Sequence, residues 1–494
     1  MSEQTEQGVT LRRTFGLREA ITITAGTVIG VGLFTTGGNI VGEMGSGVIF
    51  ATFIAMLISV YPALLYGEMG AALPYAGGTY RYASLGLGRP FGFLAGWNFI
   101  ISLISVTAGE ALAFSYYFKT MFAAFGVELP IDDTVIACIV LIGFIITNVR
   151  GVQLTGRLQN GFMFFFWGVA VIWFLTMIPN VALPNFVETP AFLENMGAGG
   201  FIAAVAMIWW CFAGFETCCA MGEEIKHPHI NIPRALMLSP FIIFAVNALF
   251  QWFLVGLVPP EGLGAVATSS APYAEAMMSA GILGLPLLLL AAGVAFGGDF
   301  STMNASIAVP PRYLYTMARD GSMPRIFAKL HPRFQTPYVA ICVLGAITVV
   351  LVATGSLVYI SNLSLFGDLF YYVIGIAAAF GLRRRMPDLK RPFKVRGLLI
   401  GAPVSVVIYL VMMTQLATEA LVTGVIWCVV GLVIYAVCRK VYGAPEQLDL
   451  AAVETGDPEP EERAKMDREF RIWAVVTAVA VVVAIGLYAL PFAV

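Results

Sequence analysis

Apolar stretches long enough to cross a bilayer alternate with short polar connections along the chain. A helix needs roughly 20 residues to span the hydrocarbon core. Stretches close to that length lie at 19–40, 46–70, 91–118, 134–149, 158–179, 199–223, 236–258, 282–311, 338–354, 357–382, 399–418, 421–438 and 472–492. The pattern predicts an all-α integral membrane protein with about 13 transmembrane helices.

The composition indicates a chain whose surroundings are lipid rather than water. Hydrophobic residues make up 59% of the chain and charged residues 12%, about half the usual charged share. So few charges cannot cover a water-soluble surface, which excludes a soluble enzyme and a nucleic-acid binder. The 7 cysteines lie in or beside apolar stretches, and the 3 histidines lie in loops without the spacing of metal ligands. We therefore predict no disulfide framework, no metal site and no cofactor.

Basic residues mark one side of the membrane. If the segment before the first span, with Arg12 and Arg13, is cytoplasmic, only Lys119 of the 28 lysines and arginines falls on the outer side. Positive charge concentrates in the cytoplasmic loops of membrane proteins. We therefore predict a multi-pass protein of the cytoplasmic membrane with its N-terminus in the cytoplasm and its C-terminus outside.

Two spans contain glycine where a transmembrane helix needs regular hydrogen bonds. Span 1 reads GTVIGVGLFTTGG from Gly26 to Gly38, and span 6 reads CFAGFE from Cys211 to Glu216. Glycine weakens a helix by about 1 kcal/mol relative to alanine. A small-residue packing face would explain span 1 alone, but interrupted first and sixth spans are typical of inverted-repeat transporters. Freed amides would hold an anion and freed carbonyls a cation, which suits an amino-acid zwitterion.

Several motifs together resemble the amino acid, polyamine and organocation (APC) superfamily of transporters, and in particular its amino acid permeases. They are IGVGLF at 29–34, GEMGAALPYAGGTYRYA at 67–83, GW at 96–97, FAGFE at 212–216 followed by EEIKHPHINIPRA at 223–235, and YLYTMARDGSMPRIFAKLHPRFQTP at 313–337. The resemblance implies a LeuT-like 5+5 inverted repeat in which helices 1 and 6 are broken.

The implied repeat divides the chain into successive segments. These are a cytoplasmic N-terminal segment at 1–18, a first repeat of spans 1 to 5 at 19–180, a second repeat of spans 6 to 10 at 181–385, spans 11 and 12 at 386–440, a cytoplasmic linker at 441–471 and an additional span 13 at 472–494. We expect the last span to be peripheral and to face lipid.

The resemblance also implies roles for residues at the two breaks. Backbone amides in span 1 would bind a substrate carboxylate, namely those of Gly30, Val31 and Gly32. Backbone oxygens in both spans would accept from its ammonium, namely those of Thr27, Val28, Phe212, Ala213 and Gly214. Two aromatic side chains would line or gate the side-chain pocket, namely Trp210 and Phe215.

The carboxylates of Glu68, Glu110, Glu216 and Asp299 fall within the predicted spans, where an unpaired charge costs several kcal/mol. Glu68 lies near a cytoplasmic end and is interpreted as structural. Glu216 beside the break of span 6 is a candidate either for stabilising the helix break or for protonation in coupling. Glu110 and Asp299 are further candidates for protonation. In some relatives sodium, or a lysine on span 5, occupies a site between spans 1 and 8. Span 5 has no such lysine here, so proton linkage or exchange is favoured, with sodium held by Ser301, Thr302 and Asp299 as the alternative.

The resulting functional hypothesis is a secondary active transporter, working by symport or antiport, that moves amino acids by alternating access. The sequence lacks a Walker A motif, and no pair of nucleophile and base marks an enzyme. A polyamine or cationic amine is the alternative substrate, and a membrane sensor or accessory protein with the same fold is the alternative function. The expected partners are a small-molecule substrate, membrane lipids, and protons or sodium. In the cytoplasmic loops, the basic segment 312–337 is a candidate gate that would pair with Glu19, Glu223 or Glu224.

Overall fold

The computed structural model describes residues 13–75, 77–187, 192–443 and 456–493. In this part of the chain the secondary structure is helical, and the only β-type pairing is an isolated bridge between Phe15 and Ile225. The first 12 residues of the predicted N-terminal segment and residues 444–455 of the predicted linker lie outside the described residues.

The α-helices follow one another with short connections. In chain order they are α1 (Leu17–Gly26), α2 (Gly38–Met44), α3 (Val48–Ala72), α4 (Gly78–Gly86), α5 (Arg89–Ala123), α6 (Asp133–Val149), α7 (Val152–Met177), α8 (Phe192–Trp210), α9 (Thr217–Ala220), α10 (Pro228–Leu257), α11 (Leu263–Thr268), α12 (Pro272–Ser279), α13 (Leu285–Ala292), α14 (Phe300–Ala308), α15 (Pro310–Arg319), α16 (Tyr338–Val352), α17 (Leu357–Arg385), α18 (Leu398–Met413), α19 (Thr418–Tyr442) and α20 (Pro460–Ala489).

Helices of membrane-crossing length account for most of the chain. Among the described residues, 8 helical stretches are long and apolar enough to span a bilayer, and shorter apolar helices lie at Asp133–Val149, Met196–Trp210, Tyr338–Val352 and Leu398–Met413. This agrees with the sequence prediction of an all-α, multi-pass membrane protein.

Two π-helical turns interrupt the regular α-helices in the interior. They lie at Gly32–Gly37, directly before α2, and at Gly293–Asp299, directly before α14. The two turns adjoin, because a Cβ added at Gly298 would be 3.6 Å from Cε2 of the Phe34 ring. Turns of this type are frequent at functional sites because they redirect backbone hydrogen bonds.

The bundle has a buried centre and an exposed periphery. The most apolar part of α5 is 89% buried, and this helix packs against α17, α14 and the second π-helical turn. The most apolar parts of α19 and α20 are 22% and 17% buried. Glu110, the one carboxylate on α5, is therefore buried inside the bundle, whereas α20 lies at the outer surface.

The last helix is held along α10. It begins at Pro460 and so includes part of the predicted linker 441–471. The Trp252 indole donates to the backbone oxygen of Leu487 at 2.9 Å, and Arg234 forms an ion pair with Asp467. The hydrogen bond from the Arg234 guanidinium lowers the pKa of the Asp467 carboxyl. These contacts fix both ends of α20 to one neighbour.

Candidate functional site

Helix 1 is interrupted between α1 and the first π-helical turn. Residues 27–30 are non-helical, and the amides of Gly30 and Gly32 donate to no acceptor in the described part of the chain. The amide of Val31 donates to both carboxylate oxygens of Glu110 on α5, at 2.9 and 3.0 Å. Gly30 permits this approach, because a Cβ at that position would overlap the Glu110 carboxylate. A carboxyl group thus lies at a helix N-terminus, where the helix dipole favours its charged form.

A second buried carboxyl lies beside the first. Asp299 ends the second π-helical turn and has no exposed surface. Its carboxyl is within hydrogen-bonding reach of Glu110. Neither of its oxygens receives a hydrogen bond from a donor in the described residues. Two carboxylates so close repel each other unless one of them holds a proton, so the contact is favourable when the pair shares one.

Hydroxyl groups of α14 close the other side of the helix 1 break. Thr302 donates to the backbone oxygen of Ile29 at 3.2 Å, and Ser301 donates to that of Gly26 at 3.3 Å. Gln159 on α7 donates to the Ser301 hydroxyl at 2.8 Å. The sequence analysis named both hydroxyls but missed Gln159, because it searched span 5 for a charged side chain. The available signal was a polar residue at the start of an otherwise apolar span.

Helix 6 is interrupted at 211–216, between α8 and α9. Gly214 has a φ of +98°, a conformation that residues with a Cβ avoid. Its amide donates to the Tyr372 hydroxyl at 2.9 Å, and that hydroxyl donates to Glu216. The backbone oxygens of residues 211–213 accept no hydrogen bond from the described residues. They are therefore available to a cationic group.

The two breaks lie against each other. A Cβ added at Gly32 would be 3.4 Å from the Cα of Cys211, and one added at Gly214 would be 3.2 Å from Thr27 Cγ2 and 3.7 Å from Val28 Cγ2. The structure thus brings together the backbone positions that the sequence analysis selected in spans 1 and 6. Side chains larger than glycine would separate them.

The aromatic residues proposed to line the pocket are buried in the packing around helix 6. The Trp210 indole donates to the Ser364 hydroxyl of α17 at 3.0 Å. Phe215 packs against the rings of Tyr66 and Tyr372, with centroid distances of 6.2 and 5.1 Å. These contacts tie the break of helix 6 to α3 and α17.

The sequence analysis did not consider one buried carboxyl. Asp368 on α17 is 3% exposed, and its Oδ1 accepts from the Ser102 hydroxyl of α5 at 2.6 Å. The sequence could have indicated this buried carboxyl, because an acidic residue inside the apolar stretch 357–382 is costly in a membrane unless it has a polar partner. The hydrogen-bond partner of Asp368 is thus on α5, whereas the polar contacts of α17 with helix 6 are made by Ser364 and Tyr372.

Loops at one end of the bundle make charged contacts with each other. Arg312 in the predicted gate donates to Glu224 at 2.9 Å, and both side chains are buried. The amide of Phe15 donates to the Glu224 backbone oxygen at 3.0 Å. Glu224, one of the three acids named as gate partners, therefore contacts Arg312, and Glu19, another of them, pairs with Arg18.

Glu68 is held by the last turn of α17 and by the basic segment that follows it. Arg383 donates to its Oε1 at 2.8 Å, Arg391 lies 3.5 Å away, and the amide of Val395 donates to it at 2.7 Å. A carboxylate surrounded in this way stabilises the connection between α17 and α18. In the described residues no group of three or more His, Cys, Asp or Glu side chains could hold a metal ion.

The fold and this site define a multi-pass membrane transporter. The chain belongs to the amino acid permease family, whose sequence model matches residues 15–438. The match covers most of the chain and confirms the resemblance to the APC superfamily.

The names of similar proteins agree with this family assignment. The chain is 30% identical to an uncharacterized transporter of Mycobacterium tuberculosis over 89% of this chain and 94% of the relative. It is 25% identical to a branched-chain amino acid permease of Bacillus subtilis over 86% of this chain and 92% of the relative. It is 26% identical to the large neutral amino acids transporter small subunit 2 of Homo sapiens over 88% of this chain and 81% of the relative.

Proposed function

We propose that this protein is a secondary active transporter that moves amino acids across the cytoplasmic membrane by alternating access, linked to protons or to exchange. The observation that carries the proposal is the meeting of two interrupted helices with unpaired backbone groups of opposite character. Helix 1 offers the amides of Gly30 and Gly32, and helix 6 offers the carbonyls of residues 211–213. An amino-acid zwitterion has the complementary carboxylate and ammonium.

The proposed architecture extends to the whole chain. It consists of a LeuT-like 5+5 inverted repeat followed by additional spans, about 13 in all. The N-terminus lies in the cytoplasm and the C-terminus outside. The Arg312–Glu224 contact belongs to the cytoplasmic gate and breaks when the site opens inward. Large neutral and branched-chain amino acids are the first substrates to test, because two relatives carry those names.

A cationic amine is the second candidate substrate. Glu110 and Asp299 already place two carboxyl groups beside the helix 1 break, and both are buried. An amine without a carboxylate would leave Glu110 on the Val31 amide and use the carboxyl pair as its counter-ion.

Uptake of radiolabelled amino acids and amines into proteoliposomes tests the function. The vesicles carry a pH gradient, a sodium gradient or unlabelled substrate inside, and the uptake of the radiolabelled compound is measured separately under each condition. Accumulation of an amino acid driven by protons or by exchange is the expected result. The absence of uptake and exchange for every compound would favour the sensor or accessory function instead.

A glycine substitution tests the site within the same assay. We expect Gly32→Leu to abolish substrate binding while the protein stays inserted, because its Cβ would be 3.4 Å from the Cα of Cys211 and the rest of the side chain would enter the gap. The matched control is Gly143→Leu on α6, where nothing lies within 4 Å of an added Cβ. Unchanged binding by Gly32→Leu in detergent would overturn the assignment of the site.

A further inference from the structure

The amide expected to receive a substrate carboxylate is already occupied by a side chain of the protein. Val31 donates to both oxygens of Glu110, at 2.9 and 3.0 Å, and Glu110 is 1% exposed. One amide cannot serve a second carboxylate in the same geometry. An amino acid that uses this amide must therefore displace Glu110.

A displaced Glu110 carboxylate would have no favourable place to go while it is charged. Its other neighbour is Asp299, which is fully buried and receives no hydrogen bond from a donor in the described residues. No arginine, lysine or histidine among the described residues acts on either carboxyl. A buried carboxylate without a donor or a cation costs several kcal/mol, whereas the protonated form does not carry this cost.

The titratable groups near the pair offer no positive charge either. They are Tyr117 on α5, Tyr273 on α12, Cys211 in the break of helix 6 and Asp368 on α17, which contacts α5 further along the helix at Ser102. All four are neutral or acidic. Lys119, in the last turns of α5, forms an ion pair with Asp133 instead. A positive end of a helix dipole at the pair is the start of the second half of helix 1, where the Val31 amide donates to Glu110.

We propose that Glu110 is an internal substitute for the substrate carboxylate, and that its displacement by an amino acid takes up one proton. The inference rests on the proposed function and names the group that couples it to protons. Glu110 holds the Val31 amide in the empty site, and the substrate carboxylate holds it in the occupied site.

The charges balance in both states. In the empty site the pair holds one proton on Asp299 and one negative charge on Glu110, which faces the helix 1 amides. The incoming zwitterion has no net charge and places its own carboxylate on those amides. Glu110 leaves and accepts a proton from solution, so both carboxyl groups are then neutral. One proton is taken up for each amino acid bound.

Calorimetric binding of L-leucine to the wild-type protein tests the proton uptake. Titrations at one pH in buffers with different enthalpies of ionisation report the number of protons taken up. We expect about one proton per leucine, and an apparent Kd that rises up to about tenfold per pH unit where the uptake is complete. Isoamylamine, which is leucine without its carboxylate, should take up no proton if it binds.

Two variants separate the roles of the carboxyl groups. Glu110→Gln should bind leucine without proton uptake and without the pH dependence, because a neutral amide needs no proton when it leaves the Val31 amide. Asp299→Asn should keep the uptake of about one proton, because Glu110 still has to be neutralised. Glu419→Gln, on the exposed first turn of α19, is the matched control and should behave as the wild type.

The outcomes distinguish this inference from the proposed function. Two results would overturn the inference without affecting the proposed amino acid transport. One is leucine transport by the wild type with no proton taken up on binding. The other is that Glu110→Gln takes up as many protons per leucine as the wild type. Binding of isoamylamine with no binding of any amino acid would overturn both and favour the amine substrate. The wild-type measurements decide the matter even if a variant fails to fold.

Discussion

The breaks in helix 1 and helix 6 each free a backbone amide from its helical hydrogen bond, and a different kind of side chain accepts from each of these amides. The Val31 amide of helix 1 donates to the carboxyl of Glu110. When this carboxyl is displaced from the amide, protonation stabilises it, because it is buried. The Gly214 amide of helix 6 is held by the neutral hydroxyl of Tyr372, which is itself bound to Glu216. We therefore call the Val31–Glu110 hydrogen bond of helix 1 exchangeable, because a substrate carboxylate can replace it, and the Gly214–Tyr372 hydrogen bond of helix 6 fixed.

The difference shows how one site can bind and release a zwitterion. A tyrosine hydroxyl bridges an amide and a carboxylate without a change of charge, so it preserves the shape of the break. A carboxylate on a helix N-terminus is equivalent to a bound anion, so it can be replaced by one. We interpret helix 6 as the constant half of the site and helix 1 as the half that responds to the substrate.

The largest expected effect comes from the point where the two breaks touch. Gly214→Ala should reduce transport roughly 100-fold, because its Cβ would press on Thr27 and displace the breaks relative to each other. The matched control is Gly355→Ala, which has a similar positive φ of +65° but nothing within 4 Å of its Cβ. Initial rates of uptake measure the difference, and equal loss in both variants would show that backbone strain alone matters.

A smaller effect is expected when the fixed contact is removed. Tyr372→Phe should lower the free energy of unfolding by about 1–3 kcal/mol, because the buried Gly214 amide and Glu216 both lose their partner. Thermal unfolding in detergent measures this, with Tyr359→Phe at the partly buried bond to Thr423 as the control. Glu110→Gln should change stability less than Tyr372→Phe does; the reverse order would contradict the comparison.

The smallest expected effect concerns sodium. The Gly26 and Ile29 oxygens of helix 1 already accept hydrogen bonds from Ser301 and Thr302, and Gln159 donates to Ser301. A cation would have to break these bonds, so we expect uptake in sodium chloride and in choline chloride to agree within about twofold. Strong sodium dependence would mean that this side of helix 1 is exchangeable as well.

The sequence by itself determined the class of the protein and the places where its helices fail. Apolar stretches of membrane length require helices, because lipid offers the backbone no hydrogen bonds. Glycines at Gly30, Gly32 and Gly214 mark breaks, because this residue alone tolerates close backbone approach and positive φ without strain. These are local properties, and a linear pattern is sufficient to express them.

Only the tertiary structure decided which groups the breaks meet. Residues 31 and 110, or 214 and 372, are far apart in the chain, and their contact depends on how the helices rotate and pack. Gln159 and Asp368 were overlooked for the same reason, since a polar residue in a span acquires its role from the neighbour it faces. Helix rotation is set by packing over the whole bundle, which no single stretch of sequence encodes.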